Sequence, residues 1–182
     1  MEKGIILFSG VHGVGKGYFV KENIKANDDI ICVSASELIR QYQNSEDAGY
    51  KKVKDVEGNQ EILLDALRSM EMSVDKSILL DGHLCIINSN SEVETISESF
   101  ISKAQIKGVI LLQEEIPIIE QRQKVRDGIS LSAEMIREIQ CKEKLYVELL
   151  FKKYKIPFEV ISGKCRRDQF LKIINAMKEG VR

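Results

Sequence analysis

Five short apolar runs, each followed by a longer charged segment, constrain the fold of this chain more than any other feature. They lie at residues 5–8, 30–33, 78–80, 109–112 and 158–161. Short runs rich in β-branched residues are typical of buried strands, and the segments between them have helical periodicity. Alternating strands and helices form a parallel sheet with helices on both faces. The sequence therefore predicts a three-layer α/β fold with a five-stranded parallel sheet, and Glu159 indicates that the fifth strand lies at an edge.

The segments between the runs are predicted to be helices. In the third, Ile62, Ala66 and Met70 recur at helical spacing and form an apolar stripe. Ser132 is expected to cap the sixth helix, and Pro117 falls in the first turn of the fifth. The predicted helices span about 16–26, 36–44, 58–72, 92–104, 114–125, 133–154 and 166–179, and two irregular stretches span about 44–57 and 86–94.

Size and charge narrow the class of protein. The 182 residues are predicted to form a single domain, 1–182. With 27 basic and 28 acidic residues, the net charge of −1 argues against a dedicated nucleic-acid or anionic-membrane binder. No apolar run approaches the roughly 20 residues of a membrane span, so we expect a cytoplasmic protein, as a monomer or a weak homo-oligomer. The four cysteines are scattered without a C-x-x-C motif, which predicts free thiols.

A glycine-rich loop follows the first run directly. Residues 10–17, Gly-Val-His-Gly-Val-Gly-Lys-Gly, satisfy the Walker A pattern G-x-x-x-x-G-K between a predicted strand and a predicted helix. Such a loop turns successive N–H groups inward, and the helix N-terminus and Lys16 add positive charge. We therefore predict a site for the phosphates of a nucleoside triphosphate, the alternative being a glycine-rich turn without a ligand. The predicted nucleotide-binding residues are Gly10, His12, Gly13, Val14, Gly15, Lys16, Gly17 and Tyr18.

The metal site departs from the usual pattern. Gly17 stands where Ser or Thr normally offers a hydroxyl to Mg²⁺, so the ion needs a carboxylate elsewhere. Asp81 directly follows the buried run 78–80 and is predicted to hold Mg²⁺ through water; the alternative is a strand cap or a salt bridge.

The two histidines of the chain each have two possible roles. His83 either contacts substrate or the Asp81 network, or is structural. His12 either contacts phosphate or is a spacer in the loop, and we favour the spacer.

Segments along nearly the whole chain resemble adenylate kinases. The loop at 10–17 is similar to their G-x-P-G-x-G-K-G loop, and the segment 33–40 looks like the one in which an arginine, here Arg40, grips the nucleoside monophosphate. Asp81-Gly82-His83 is similar to the D-x-H of archaeal-type adenylate kinases and the related nuclear kinase, and residues 122–132 resemble the lid of that group. The resemblance implies a P-loop NTPase fold with a small helical lid, ATP as donor and AMP or dAMP as acceptor. Tyr18 departs from it, since a threonine usually follows G-K-G.

Phosphoryl transfer needs cations around the migrating group, a positioned acceptor and exclusion of water. Arg122 and Arg126 are four residues apart, share a helix face and are predicted to be catalytic together with Lys16; the alternative is a solvated face. The acceptor region is predicted at about 34–62 and the lid at about 120–130. Gln60 is predicted to face the acceptor or to lie on the surface, and residues 162–164 to line the donor base.

These observations predict a nucleoside monophosphate kinase that uses ATP and Mg²⁺. Two other functions stay open at this point. The chain could be a P-loop ATPase that controls a partner, or a nucleotide-binding regulatory protein without turnover. Arg40 and the lid arginines favour the kinase. Tyr18 favours the alternatives, as does the Ser- and Asn-rich segment after His83, which does not match the Pro- and Gly-containing segment of adenylate kinases.

Overall fold

A computed structural model describes residues 4–25, 28–44, 56–73, 76–88 and 90–179. The elements of this part alternate as the sequence predicts. The strands are β1 (Ile5–Ser9), β2 (Ile30–Ser34), β3 (Ser77–Asp81), β4 (Cys85–Ile87), β5 (Val93–Thr95), β6 (Ile106–Gln113) and β7 (Phe158–Ser162). The helices are α1 (Lys16–Asn23), α2 (Ala35–Asn44), α3 (Val56–Ser73), α4 (Glu98–Lys103), α5 (Ile116–Asp127), α6 (Ala133–Tyr154) and α7 (Arg167–Lys178).

The main sheet has five strands in the order β2-β3-β1-β6-β7, and every pair in it is parallel. The predicted fold class is confirmed, and β7, which carries Glu159, lies at an edge. Phe8 in β1 is in register with Asp81 in β3, so the carboxyl ends of these two strands lie side by side. Ligands of open α/β sheets bind at this end, where the strand order reverses.

Successive residues of the central strands face opposite sides of the sheet and build two cores. Ile5 and Leu7 of β1 face one core, which α2, α3, α4 and part of α6 cover. Ile6 and Phe8 face the other, which α1, α5, α7 and the start of α6 cover. Because both faces are covered, β1 is buried along its whole length, which explains why its sequence is a continuous apolar run.

The start signals of two helices act as predicted. The Ser132 side chain accepts a hydrogen bond from the Met135 amide and caps α6, and Pro117 lies in the first turn of α5. The α5 helix ends at Asp127, and its C-cap residue, Gly128, adopts a left-handed conformation (φ 77°). Among the described residues, no helix is both long enough and apolar enough to cross a membrane.

The predicted helix at 92–104 and the predicted irregular stretch at 86–94 are both partly wrong. Residues 85–87 and 93–95 pair as an antiparallel hairpin, and the helix covers only Glu98–Lys103. The Asn88 side chain accepts hydrogen bonds from the amides of Asn90 and Glu92, which closes the turn, and the Ser97 side chain starts α4 by accepting from the Phe100 amide. Most of the other irregular stretch, 45–55, lies outside the described residues.

Candidate active site

A cavity of about 590 Å³ opens at the carboxyl ends of β1 and β3. The phosphate loop forms one wall, and residues from α2 and α3 form the opposite wall. Asp81 and His83 lie between the two walls, and Arg122 and Arg126 reach the cavity from α5. The structure thus brings most of the predicted site residues to one cavity; these are His12, Gly13, Gly15, Lys16, Gly17, Tyr18, Gln60, Asp81, His83, Arg122 and Arg126.

The phosphate loop needs its glycines for backbone conformation and for packing. Gly13 and Gly15 have φ values of 84° and 105°, which L side chains rarely adopt. A Cβ atom on Gly13 would also lie 2.7 Å from Cγ of Gln123, and one on Gly15 would lie 2.9 Å from Nη1 of Arg122. These glycines therefore let α5 approach the loop closely. The Val14 side chain is buried in the core, so Val14 can offer only its backbone to a ligand.

Lys16 is held at the floor of the loop. Its side chain is 7% exposed, and Nζ donates to the Gly10 carbonyl at 2.9 Å and lies 3.6 Å from Oδ1 of Asp81. Burial lowers the pKa of Lys16, and the negative charge of Asp81 opposes that shift. Burial likewise raises the pKa of Asp81, and the Lys16 ammonium opposes it. Each group thus stabilises the charge of the other, and the pair sits where phosphate charge would arrive.

The residues present would fit a hydrated Mg²⁺ ion at Asp81, although the ion pair with Lys16 is also the salt bridge that the sequence left as an alternative, and the metal site stays a prediction. Asp81 is 29% exposed and lines the cavity, so one carboxylate is accessible to a hydrated ion. Mg²⁺ keeps several waters in proteins and needs only one or two carboxylates besides phosphate oxygens. At Gly17, an added Cβ would meet no atom within 4 Å, so the position of the missing hydroxyl is open space.

His83 packs against the loop and is neutral. Its Nδ1 lies 2.9 Å from the Gly10 carbonyl oxygen, so Nδ1 carries the proton and donates it. Burial and the nearby charge of Lys16 lower the pKa of His83 to about 3. A histidine with so low a pKa is a poor general base at neutral pH. The geometry favours a structural role for His83 at the junction of the loop and the Asp81 strand, although its ring still faces the cavity.

The two predicted catalytic arginines contact the phosphate loop itself. Nη1 of Arg122 donates to the Val14 carbonyl, and its Nη2 lies 3.6 Å from Oε2 of Glu114. Nη2 of Arg126 lies 2.9 Å from Oδ2 of Asp127 and 3.2 Å from Nδ1 of His12. His12 is half-exposed, and burial together with the charge of Arg126 lowers its pKa. His12 therefore connects the loop to α5, which is more than a spacer does.

The wall opposite the loop mixes apolar and polar side chains. Oε1 of Gln60 accepts from Oγ of Ser97 at 2.6 Å, and Ile39 and Leu63 add apolar surface to the cavity. Arg40 is not among the lining residues. Its side chain is 69% exposed, and its Nη2 lies 3.9 Å from Oε1 of Glu37, one helical turn earlier. The predicted acceptor-binding residues are thus split, with Gln60 and His83 in the cavity and Arg40 outside it.

Residues 162–164 lie outside the main cavity. Ser162 and Lys164 line a second, open depression of about 500 Å³. A Cβ atom added to Gly163 would lie 3.3 Å from Oε2 of Glu114, the partner of Arg122. The turn therefore lies close to the loop-facing arginine, and its contact with a donor base stays a prediction.

Sequence reasoning missed two buried polar side chains next to the phosphate loop. Gln123 is 2% exposed and follows the fully buried Ile119 by one helical turn. Glu143 is fully buried and lies between Ile139 and Val147 on the buried stripe of α6. A polar residue at a stripe position reserved for apolar side chains is the signal that could have identified both.

Comparison with known proteins supplies the family. A family model described as an AAA domain matches residues 9–146, more than half of the chain. The chain belongs to this AAA domain family. It is a family of P-loop NTPases, so the broad part of the resemblance is confirmed, whereas the subfamily of adenylate kinases stays a prediction. No curated protein matches the sequence.

Solved structures that share the fold include two proteins with low sequence identity to this chain. A tunicamycin resistance protein from Deinococcus radiodurans has a TM-score of 0.59 and 13% identity, with 99% of this chain and 97% of that chain covered. A gluconokinase from Sinorhizobium meliloti 1021 has a TM-score of 0.50 and 11% identity, with 98% and 93% covered. At these identities the likeness shows the fold alone, which is a kinase-like P-loop fold.

Proposed function

We propose that the protein transfers the terminal phosphoryl group of ATP to a small acceptor bound in the main cavity. The observation that carries this proposal is the juxtaposition of the phosphate loop, the Lys16–Asp81 pair and two arginines on one side of a cavity that has a separate wall opposite them. An ATPase needs only the side that carries the phosphate loop, the ion pair and the arginines. A wall that faces the phosphate site offers a second molecule a place in line with the transferred group.

Each residue has a distinct part in this reaction. The inward N–H groups of the loop and the Lys16 ammonium hold the β- and γ-phosphates. Asp81 would hold Mg²⁺ through water, and the ion, when bound, neutralises phosphate charge that develops during transfer. Arg122 and Arg126 line the cavity and supply fork-shaped donors for the migrating group. In the lid, residues about 120–130, we propose a movement that closes the site against water.

For the acceptor, the resemblance to adenylate kinases supports a nucleoside monophosphate, with AMP or dAMP as the first choice. The position of Arg40 favours a second candidate. With Arg40 turned toward Glu37, the described part of the acceptor wall consists of apolar, hydroxyl and amide side chains, among them Ile39, Ser36 and Gln60. Such a wall fits an uncharged, hydroxyl-bearing molecule that binds by apolar contact and hydrogen bonds.

A panel of acceptors with ATP and Mg²⁺ tests these proposals. The panel holds the nucleoside monophosphates in one arm, and nucleosides and sugars without phosphate in the other. Equal amounts of ADP and one new phosphorylated product identify a kinase and its acceptor class. Release of inorganic phosphate that no acceptor changes would establish an ATPase instead, and binding of ATP without any turnover would establish a regulatory nucleotide-binding protein.

A further inference from the structure

The side of the phosphate loop that faces away from the cavity is bound by two neighbouring side chains of α5. Nε2 of Gln123 donates to the His12 carbonyl at 2.6 Å, and Arg122 donates to the Val14 carbonyl. Gln123 is bonded at both ends, because its Oε1 accepts from the Leu131 amide at 2.8 Å. The side chain is 2% exposed and therefore connects three backbone segments in the interior: the loop, α5 and the connection to α6.

Peptide geometry relates these outward bonds to the inner face of the loop. In a trans peptide, the C=O of one residue and the N–H of the next point in opposite directions, and the described peptides include no cis bond. A His12 carbonyl held toward α5 therefore turns the Gly13 N–H the other way, and the Val14 carbonyl does the same for Gly15. Both glycines line the cavity, and within the described ranges neither amide donates a hydrogen bond.

We propose that Gln123 is a positioning residue for the nucleotide: it fixes the His12–Gly13 peptide so that the Gly13 N–H is aimed at phosphate before the ligand arrives. The inference deepens the proposed function, since it rests on the same phosphate site. Arg122 fixes the Val14–Gly15 peptide in the same way. It also contacts the cavity, so it cannot be altered without changing the site directly, whereas Gln123 does not line the cavity.

Burial makes this role specific to the amide side chain. The His12 carbonyl needs a donor and the Leu131 amide needs an acceptor, and the primary amide of Asn or Gln carries both groups on one uncharged end. The short Asn side chain would not span the same distance. Glutamate has the shape of glutamine but lacks the donor, so Gln123→Glu removes one bond and places a carboxylate oxygen against the His12 oxygen.

The test measures affinity for a fluorescent ATP analogue, with Mg²⁺, in the full chain. Gln123→Glu and Gln123→Met should each weaken binding by ~10-fold or more, because a buried carbonyl loses its partner and the peptide can turn. Gln105→Glu is the matched control, since it adds the same charge at an exposed position before the amino end of β6, away from the cavity, and should leave affinity unchanged. Ile101→Val controls for stability, because it thins the core on the opposite face of the sheet.

The outcomes separate positioning from other roles. If Gln123→Glu weakens binding and Gln123→Met does not, charge repulsion is the cause and the proposal is wrong. If Ile101→Val lowers the melting temperature as much as Gln123→Met and weakens binding equally, the role is only structural. Wild-type protein that binds the analogue but phosphorylates no acceptor would refute the proposed kinase and leave this comparison intact; wild-type protein that does not bind it would refute both.

Discussion

Glu143 gives the most quantitative prediction, because its carboxyl group is fully buried beneath the phosphate loop. Its Oε1 accepts a hydrogen bond from Oγ of Ser9 at 2.8 Å, and Oγ of Ser9 accepts in turn from the Leu84 amide at 2.8 Å. Burial raises the pKa of Glu143 to about 7, although Ser9, Lys16 and nearby backbone amides oppose the shift. The unfolded chain should have the ordinary value of 4.5.

The sign and size of the stability effect follow from these two values. Between pH 4.5 and 7 the folded state keeps a proton that the unfolded state has lost, so the free energy of unfolding falls as the pH rises through this window. Each pKa unit corresponds to about 1.4 kcal/mol, so ionised Glu143 costs the folded protein about 3 kcal/mol above pH 7. Glu143→Gln keeps an acceptor for Ser9 but cannot ionise, and this cost should disappear.

Urea denaturation at pH 4.5 and pH 8 measures the effect. The free energy of unfolding of Glu143→Gln, relative to wild type, should rise by about 3 kcal/mol between the two pH values. Glu138→Gln makes the same change at an exposed position of α6, 3.8 Å from Lys142, and should follow wild type at both. A constant difference between Glu143→Gln and wild type at both pH values would mean that Glu143 does not titrate in this window, and the reasoning would fail.

The remaining predictions concern the site. Lys16→Ala should lower turnover by orders of magnitude and leave the circular dichroism spectrum unchanged, because Lys16 carries the positive side chain of the loop; unchanged turnover would refute the phosphate site. Asp81→Asn should weaken ATP binding with Mg²⁺ far more than ATP binding in EDTA, and equal losses would indicate a structural role. In steady-state kinetics, Arg126→Ala and Arg122→Ala should lower kcat by ~10³-fold. Arg40→Ala should raise the acceptor KM if the acceptor is a monophosphate, and an unaltered KM would favour an uncharged acceptor.

The sheet could be predicted from the sequence because its information is local. The three inner strands, β3, β1 and β6, each contain a continuous apolar run, because burial on both faces requires one. The edge strands β2 and β7 keep most of this apolar pattern, although β7 carries Glu159. The hairpin of β4 and β5 could not be predicted in this way. The three residues of β5 include the exposed Glu94 and Thr95, and what makes them a strand is pairing with Cys85–Ile87 across a turn closed by Asn88.

The site was predictable where one loop builds it and less so where helices meet. The Walker A pattern and the aspartate after the third apolar run are contiguous signals, and they identified Lys16 and Asp81, which the structure places 3.6 Å apart. Arg40 is different, because the face of α2 that carries it depends on how α2 packs. In the structure that face is turned to solvent and Glu37, whereas the preceding residue, Ile39, lines the cavity.

Burial of polar groups provides an argument for the site that is independent of the motif. A buried polar side chain destabilises the fold unless it is bonded, so proteins keep few of them. Seven polar or charged side chains are buried among the described residues. Asn23, Ser77 and Lys178 lie elsewhere, and the other four, Ser9, Lys16, Gln123 and Glu143, contact the phosphate loop or the strand end that leads into it. They come from β1, α1, α5 and α6, elements far apart in sequence. Packing alone would fill these positions with apolar side chains at lower cost. Their convergence therefore indicates that the backbone of this loop is held in place for a ligand.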